Sequence, residues 1–259
     1  MRLRIEGVSK TYLPPTGLLR LVMRAATAEP VEAISDVTFH VDSGEIVGLV
    51  GPNGAGKTTL LKAICTLVEP SSGAIHLDDL DVSSRSLEVR RQLGIALADD
   101  RALYWRLTGR QNLEFFGVMA GMSRSAASEQ ATRLMEEAGL AGRDKLVFGY
   151  SSGMKAQLSL ARAILHDPSL IVLDEPTRSL DPLATIEFGR KLRTLADEGK
   201  AVLLSSHRLD EVEKICDRVV VILEGRVHYV GGVAELHDEE GTAASAITEI
   251  LLRAAEGER

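Results

Sequence analysis

Aromatic side chains make up only 4% of this chain, so any core it builds must be filled by aliphatic residues. Cysteine is scarcer still. Cys65 and Cys216 stand far apart, without the short spacing of a metal site. That excludes a disulfide framework, fits a reducing compartment, and leads us to expect both thiols buried as small apolar groups. No uninterrupted apolar run approaches the roughly 20 residues that span a bilayer, so a membrane role requires a separate partner. Positive charge is not in excess either. The formal net charge is −7, which lacks the basic footprint of a nucleic-acid binder. The opening MRLRIEGVSK alternates as a strand does and carries no apolar signal core.

What is present is aliphatic. Hydrophobic residues are 45% of 259, enough for one large unit or two small ones. Leu3, Ile5 and Val8, then VTFHV (37–41) and GAIHLDD (73–79), alternate in part and predict an antiparallel layer near the N-terminus. Four short runs are apolar throughout: IVGLV (46–50), LIVLD (170–174), AVLLSS (201–206) and VVVIL (219–223). Strands apolar on both faces belong to a buried parallel sheet, and helical patterns separate these four, so the class is α/β. From about 104 to 165 the pattern is helical, which predicts a helical subdomain inserted between two sheet strands.

Two segments stand apart. Residues 13–33, bounded by Pro14, Pro15 and Pro30, place Leu18, Leu21, Val22 and Ala25 on one helical face. This reads as a surface helix packed on the domain, or as an interfacial helix facing a membrane or partner. Near the C-terminus, Ile247, Ile250 and Leu251 share one side of an amphipathic helix.

The chemistry begins at GPNGAGKT (51–58), between the strand IVGLV and a helical run. It matches the phosphate-binding loop G-x-x-x-x-G-K-[ST] in its strand–loop–helix context. Gly51, Gly54 and Gly56 let backbone N–H groups curl around phosphate oxygens, and the following helix turns its positive end to the anion. Lys57 can reach the terminal phosphates, and Thr58 can ligand Mg²⁺. The nucleotide-binding stretch is Gly51, Pro52, Asn53, Gly54, Ala55, Gly56, Lys57, Thr58 and Thr59. Downstream, LIVLDEP (170–176) ends an apolar strand in two carboxylates. Asp174 is placed to hold Mg²⁺, and Glu175 to orient and deprotonate an attacking water.

With YSSGM (150–154) ahead of LIVLDEP, and SLDP (179–182) and the stretch LLSSHRLDEVEKICDRVVVILEGRV (203–227) after it, the order and spacing make the chain resemble the ATP-binding subunits of ABC transporters from Leu3 to about Leu236. The resemblance implies a P-loop NTPase domain over 1–236, with 237–259 as a helical tail. It implies ATP and Mg²⁺ as ligands, and two ATPase subunits paired head to tail around two ATPs. Ser151 and Gly153 would then meet the γ-phosphate on the opposite subunit, with Ser152 left to cap its own helix. Asp181 would couple the two sites across the seam. His207 would contact the γ-phosphate and the water, and Tyr12 would stack on adenine.

The pattern is not followed everywhere. Where the family has a Mg²⁺-binding glutamine before the helical subdomain, counting back from LTGRQNL gives Asp99, with Asp100 as the rival. In the signature, Tyr150, Ser152 and Met154 replace leucine, glycine and glutamine. The variants resemble exporter ATPases that serve separate integral membrane subunits. Such a subunit works at the cytoplasmic face of the cell membrane, the bacterial inner or plasma membrane. The competing reading is a soluble ABC ATPase acting in DNA repair or translation. Those relatives commonly carry two cassettes, long coiled coils or zinc modules, which this chain lacks. A regulatory module without turnover is disfavoured because both Glu175 and His207 are present.

Overall fold

A computed structural model describes residues 2–14, 29–97, 103–142, 145–236 and 242–256. Its two sheets follow from two kinds of strand. The first kind is half-buried. β1 (Arg2–Tyr12), β2 (Val31–Asp42), β4 (Ser72–Leu77) and the short β5 (Leu80–Asp81) form a four-stranded sheet in the order β2-β1-β4-β5. All its pairings are antiparallel. Leu3, Ile5, Val37, Phe39 and Val41 turn inward on its first two strands, as period-two alternation requires, and a register shift after Ile5 turns Val8 inward as well.

The second kind is buried on both faces. β3 (Ile46–Val50), β7 (Leu170–Asp174) and β8 (Ala201–Ser206) have no exposed position. With β6 (Leu93–Ala96), β9 (Arg218–Leu223) and β10 (Arg226–Gly232) they form a six-stranded sheet, β10-β9-β3-β8-β7-β6. Every pair is parallel except β10 with β9. The expected α/β fold, with an antiparallel N-terminal layer and a mainly parallel core, is therefore present. β10 was not legible in advance, because as an edge strand it alternates exposed and half-buried residues.

Helix α1 (Lys57–Ile64) sits between the sheets, and Leu60, Leu61 and Ile64 join the core they share. α2 (Ser86–Arg91) leads into β6. Between the neighbouring strands β6 and β7 the chain makes its helical excursion through α3 (Gly109–Met119), α4 (Arg124–Glu137) and α5 (Ser152–Ile164). These helices have their own apolar core around Leu113, Leu134, Val147, Tyr150 and Leu158. α3 opens with a capping box: Thr108 Oγ1 accepts from Gln111 N–H, and the Gln111 side chain returns a bond to Thr108 N–H.

The opposite face of the large sheet is covered by α6 (Pro182–Asp197), α7 (Leu209–Ile215) and α8 (Ala243–Glu256). In α8, Ile247 is fully buried, and Ile250 and Leu251 pack beside it. The Ala243 N–H is taken up by Glu213 Oε1 at 3.1 Å. Both cysteines are buried. Burial pushes the Cys65 thiol up to about 12, with the Asp174 charge adding to it, and raises Cys216 further.

The reading of 13–33 needs correction at its end. Tyr12 pairs directly with Val31, so Val31–Ala33 belong to β2 and the extra segment is an insertion in the turn between two antiparallel strands. The helical reading of this segment rests on residues that lie outside the described ones, as do Asp99 and Asp100.

Candidate nucleotide site

The phosphate loop leaves β3 and enters α1 through two left-handed glycines, Gly54 at φ +86° and Gly56 at φ +100°. A Cβ on Gly56 would stand 2.4 Å from the Ala33 carbonyl oxygen, whereas one on Gly54 meets nothing within 4 Å. The loop's outer rim is thus open, and its inner rim is pressed on β2. Gly51 has a different task from the one read in the sequence. Its Cβ would fall 2.0 Å from the Ile222 carbonyl oxygen, so it is glycine because β9 packs against it. Ala55 is anchored by its carbonyl, which accepts from Gly225 N–H at 3.0 Å. Pro52 and Asn53 are exposed, and Thr59 is half-buried.

Lys57 is only 6% exposed. Its ammonium donates to the carbonyls of Gly51 (2.6 Å) and Pro52 (2.9 Å), which centres it in the loop. Burial holds it below the usual lysine range, while the charges of Glu175 and then Asp174 pull the other way.

From Thr58 in α1 a continuous polar chain crosses two strand ends, those of β7 and β8. Thr58 Oγ1 donates to Asp174 Oδ2 at 3.1 Å. Ser205 Oγ donates to Asp174 Oδ1 at 2.5 Å and accepts from Glu175 N–H at 3.0 Å. The Glu175 amide also reaches the Ser205 carbonyl at 3.2 Å. These bonds hold Glu175 at φ +48°, a left-handed value that is strained for a residue with a Cβ. Glu175 Oε1 then lies 3.0 Å from His207 Nδ1, and Oε2 lies 3.8 Å from Arg178 Nε. Sequence reasoning missed Ser205. Its signal was two serines, Ser205 and Ser206, inside an otherwise apolar buried strand.

The signature residues lie elsewhere. Ser151 is the N-cap of α5, and its Oγ accepts from Met154 N–H at 3.3 Å. The expectation that Ser152 does the capping is therefore wrong. Ser152 already occupies the first helical position, past the point where a side chain can turn back onto the free N–H groups. A Cβ on Gly153 would approach Leu180 Cδ2 at an ordinary 3.7 Å, so this chain's own packing does not demand a glycine there. Tyr150 is buried in the helical core, where its hydroxyl would stand 2.6 Å from a Cβ on Gly109. Asp181 caps α6 by accepting from Ala184 N–H at 2.9 Å, ahead of Pro182. Tyr12 ends β1 at 40% exposure, with the Lys10 ammonium 5.4 Å over its ring. Among the described residues, the side chains of Ser151 and Asp181 bond only within their own helix starts. The structure thus joins Lys57, Thr58, Asp174, Glu175 and His207 in one place; among the described residues no hydrogen bond ties Ser151 or Asp181 to them, and Gly153 faces Leu180.

The donor set suits a hard cation held together with phosphate. Thr58 and Asp174 offer oxygens side by side. Among the described residues no group of three or more His, Cys, Asp or Glu could hold a metal alone. Magnesium is usually bound in that way, by one or two protein oxygens plus substrate phosphates.

A cradle of positive-φ glycines with its lysine, set beside paired carboxylates at the end of a buried parallel strand, defines a P-loop ATPase. The ABC transporter family pattern matches residues 34–178. The chain is 37% identical over 211 residues to the ABC transporter ATP-binding protein NatA of Bacillus subtilis, covering 81% of this chain and 86% of that one. It is 43% identical over 194 residues to the Nod factor export ATP-binding protein I of Burkholderia lata, covering 74% of this chain and 64% of that longer relative. The dimeric structure of the bacterial ABC transporter cassette MJ0796 superposes with a TM-score of 0.76 at 24% identity, covering 89% of this chain and 98% of that one. The chain belongs to the ATP-binding subunits of the ABC transporters and is an ATPase.

Proposed function

We propose that this chain is the motor of a membrane exporter, working as a head-to-tail dimer in which each ATP is hydrolysed between two subunits. The observation that carries the reading is the unbroken polar chain Thr58–Asp174–Ser205–Glu175–His207. It sets a carboxylate and an imidazole next to the phosphate loop. Glu175 accepts a proton from the attacking water, and His207 holds that carboxylate in place. Lys57 offsets negative charge on the transferred phosphoryl group. Thr58 and Asp174 hold Mg²⁺, which when bound neutralises the phosphate oxygens and fixes their geometry. Tyr12 offers a ring to the adenine.

The second half of the site comes from the other subunit. Ser151 presents its hydroxyl, and Gly153 presents a backbone with no side chain in the way. The N-terminus of α5 points at the phosphate between them. The dimeric state of a structural neighbour and the unforced glycine at 153 support this arrangement. Asp181 lies at the same seam.

The membrane partner docks on the helical subdomain. Trp105, Leu146 and Phe148 are exposed there, Phe148 at 77%. The bonds Phe148 N–H to Trp105 O (3.0 Å) and Val147 N–H to Leu107 O (2.9 Å) hold them as one surface, with Tyr104 and Phe115 edge-to-face nearby. Such a patch marks an interaction site. Among the described residues no helix is long and apolar enough to cross a membrane. As the ATP-binding subunit of such a transporter, the chain works as a peripheral subunit on the cytoplasmic face. Both relatives are transporter ATP-binding proteins, one of them for export, which favours export over repair or translation.

The deciding experiment uses Glu175→Gln. The variant should bind ATP, form a stable dimer in its presence, and lose turnover by about a hundredfold or more. Wild-type ATPase activity from a sample held strictly monomeric would overturn the shared-site reading.

A further inference from the structure

One buried acid plays no part in that chemistry. Glu211 lies in the first turn of α7 yet is only 4% exposed. Leu192, Leu204, Val212 and Ile215 line the small cavity beside it. A carboxylate is found in such surroundings only when its oxygens are satisfied, and these are. Oε2 accepts from Thr177 Oγ1 at 2.5 Å. Oε1 accepts from Arg208 Nη1 at 2.5 Å and from Thr185 Oγ1 at 3.4 Å.

The three donors come from three segments, and each borders a functional residue. Thr177 follows Glu175 by two residues. Arg208 is the residue after His207. Thr185 lies in the first turn of α6, which Asp181 caps. A plain helix-dipole role does not account for this. Asp210 already supplies an acid to the first turn of α7 from the solvent side, and it needs no buried donors.

We propose that Glu211 is a positioning residue that fixes the distance between Glu175 and His207 and ties both to the Asp181 segment. The inference rests on the catalytic reading of Glu175 and His207. The 3.0 Å Glu175–His207 contact is fastened from two sides. On the strand side Ser205 holds the Glu175 amide, and on the helix side Glu211 holds Thr177 and Arg208 together. Without the Glu211 carboxylate, Arg208 is free to turn to Asp210, already at 4.0 Å. The bonds through Glu211 that tie Thr177 to the histidine turn are then lost. Lys57 and Thr58 are untouched by that change. The loss therefore falls on kcat and spares the KM for ATP.

The test measures kcat, KM for ATP and thermal unfolding of the full-length chain in four variants. Glu211→Gln should remain folded, lose about tenfold in kcat and keep KM within about twofold. Thr177→Val should lose kcat in the same way, and Thr177→Ser, which keeps the hydroxyl, should recover it. The double variant Thr177→Val/Glu211→Gln should be no slower than Glu211→Gln alone, because both changes cut one link. Wild-type kcat in folded Glu211→Gln overturns the proposal, and so do additive effects in the double variant or a fall in kcat that merely follows the folded fraction. If Glu211→Gln does not fold, the Thr177→Val and Thr177→Ser pair decides on the same criteria. Glu175→Gln and His207→Ala run alongside. If either keeps wild-type turnover, the catalytic reading itself has failed, and this result differs from one in which both are dead and Glu211→Gln is normal.

Discussion

Ser205 Oγ bridges the two acidic residues of the strand end, donating to the Asp174 carboxylate Oδ1 at 2.5 Å and accepting from the Glu175 backbone N–H at 3.0 Å. One hydroxyl thus sets the aim of the Asp174 carboxylate, proposed to hold the cation, and stabilises the left-handed backbone of Glu175, proposed to activate the water. Ser205→Ala should leave Asp174, itself buried, with a lone pair unmet, at a cost of about 1–3 kcal/mol in stability. It should also raise the Mg²⁺ concentration needed for half-maximal ATPase activity. Ser205→Thr keeps the donor and should restore the cation response. Unchanged Mg²⁺ dependence in a folded Ser205→Ala chain would show that Thr58 alone orients Asp174.

How much of this was legible in the sequence depends on the range of the signal. The phosphate loop and LIVLDEP could be read because their chemistry is written within a few consecutive residues. The apolar strands could be read because burial on both faces leaves nearly continuous apolar runs, with polar residues only at the strand ends. Ser205 and Glu211 were not, because the partners that define their tasks, Asp174 and Thr177, lie 31 and 34 residues away in the chain; the serine pair in β8 marks buried polar groups without saying what they hold. Ser151 shows the opposite error. The serine pair was rightly read as a helix start, but the cap was assigned one position late. Only the backbone, with Ser151 extended at φ −66°, ψ 164°, decides which serine stands outside the first turn. Gly51 was assigned correctly to the loop and for the wrong reason, because its neighbour Ile222 comes from β9.

The capping role of Ser151 and its proposed role at the dimer seam can be separated by substitution. As N-cap of α5 it accepts from Met154 N–H, and loss of that bond costs about 1 kcal/mol. Asparagine caps about as well as serine but offers no hydroxyl. Ser151→Asn should therefore melt close to wild type, whereas Ser151→Ala melts lower. In a Glu175→Gln background both should weaken the ATP-dependent dimer, read by light scattering. Full ATP-driven dimerisation of the Ser151→Asn chain would confine Ser151 to capping.

Two glycines of the phosphate loop should fail differently. At Gly51 an added methyl meets the Ile222 carbonyl oxygen at 2.0 Å. Neither partner is a flexible side chain, so Gly51→Ala must displace β3 from β9, costing about 1–3 kcal/mol. At Gly54 there is no neighbour, only φ +86°, and Gly54→Ala should cost about 1 kcal/mol while narrowing the open rim. The expected pattern is a marked fall in melting temperature for Gly51→Ala with residual ATP affinity in the folded fraction. Gly54→Ala should show the reverse, near-normal melting with weakened ATP binding in a calorimetric titration. Equal melting temperatures for the two would contradict the packing argument.

His166 makes the junction between the subdomains sensitive to acid. It follows the end of α5, and its Nε2 lies 3.0 Å from the Leu93 carbonyl oxygen at the start of β6. The neutral ring donates that bond from Nε2–H. Burial lowers the histidine from its ordinary 6.5, and the Leu93 bond and the Asp167 charge only partly oppose this. The folded state therefore releases this proton more readily than the unfolded chain does. Between the lowered native value and 6.5 the unfolded state binds more protons, so stability rises with pH across that window. The contribution is complete above 6.5 and is lost as pH falls through the native value. Glutamine at this position can still donate to Leu93 but does not titrate. Wild type should lose more melting temperature than His166→Gln between about pH 7.5 and about pH 5.5, while the two respond alike above pH 7.5. Parallel curves throughout would mean that His166 charges as readily in the folded chain as in the unfolded one.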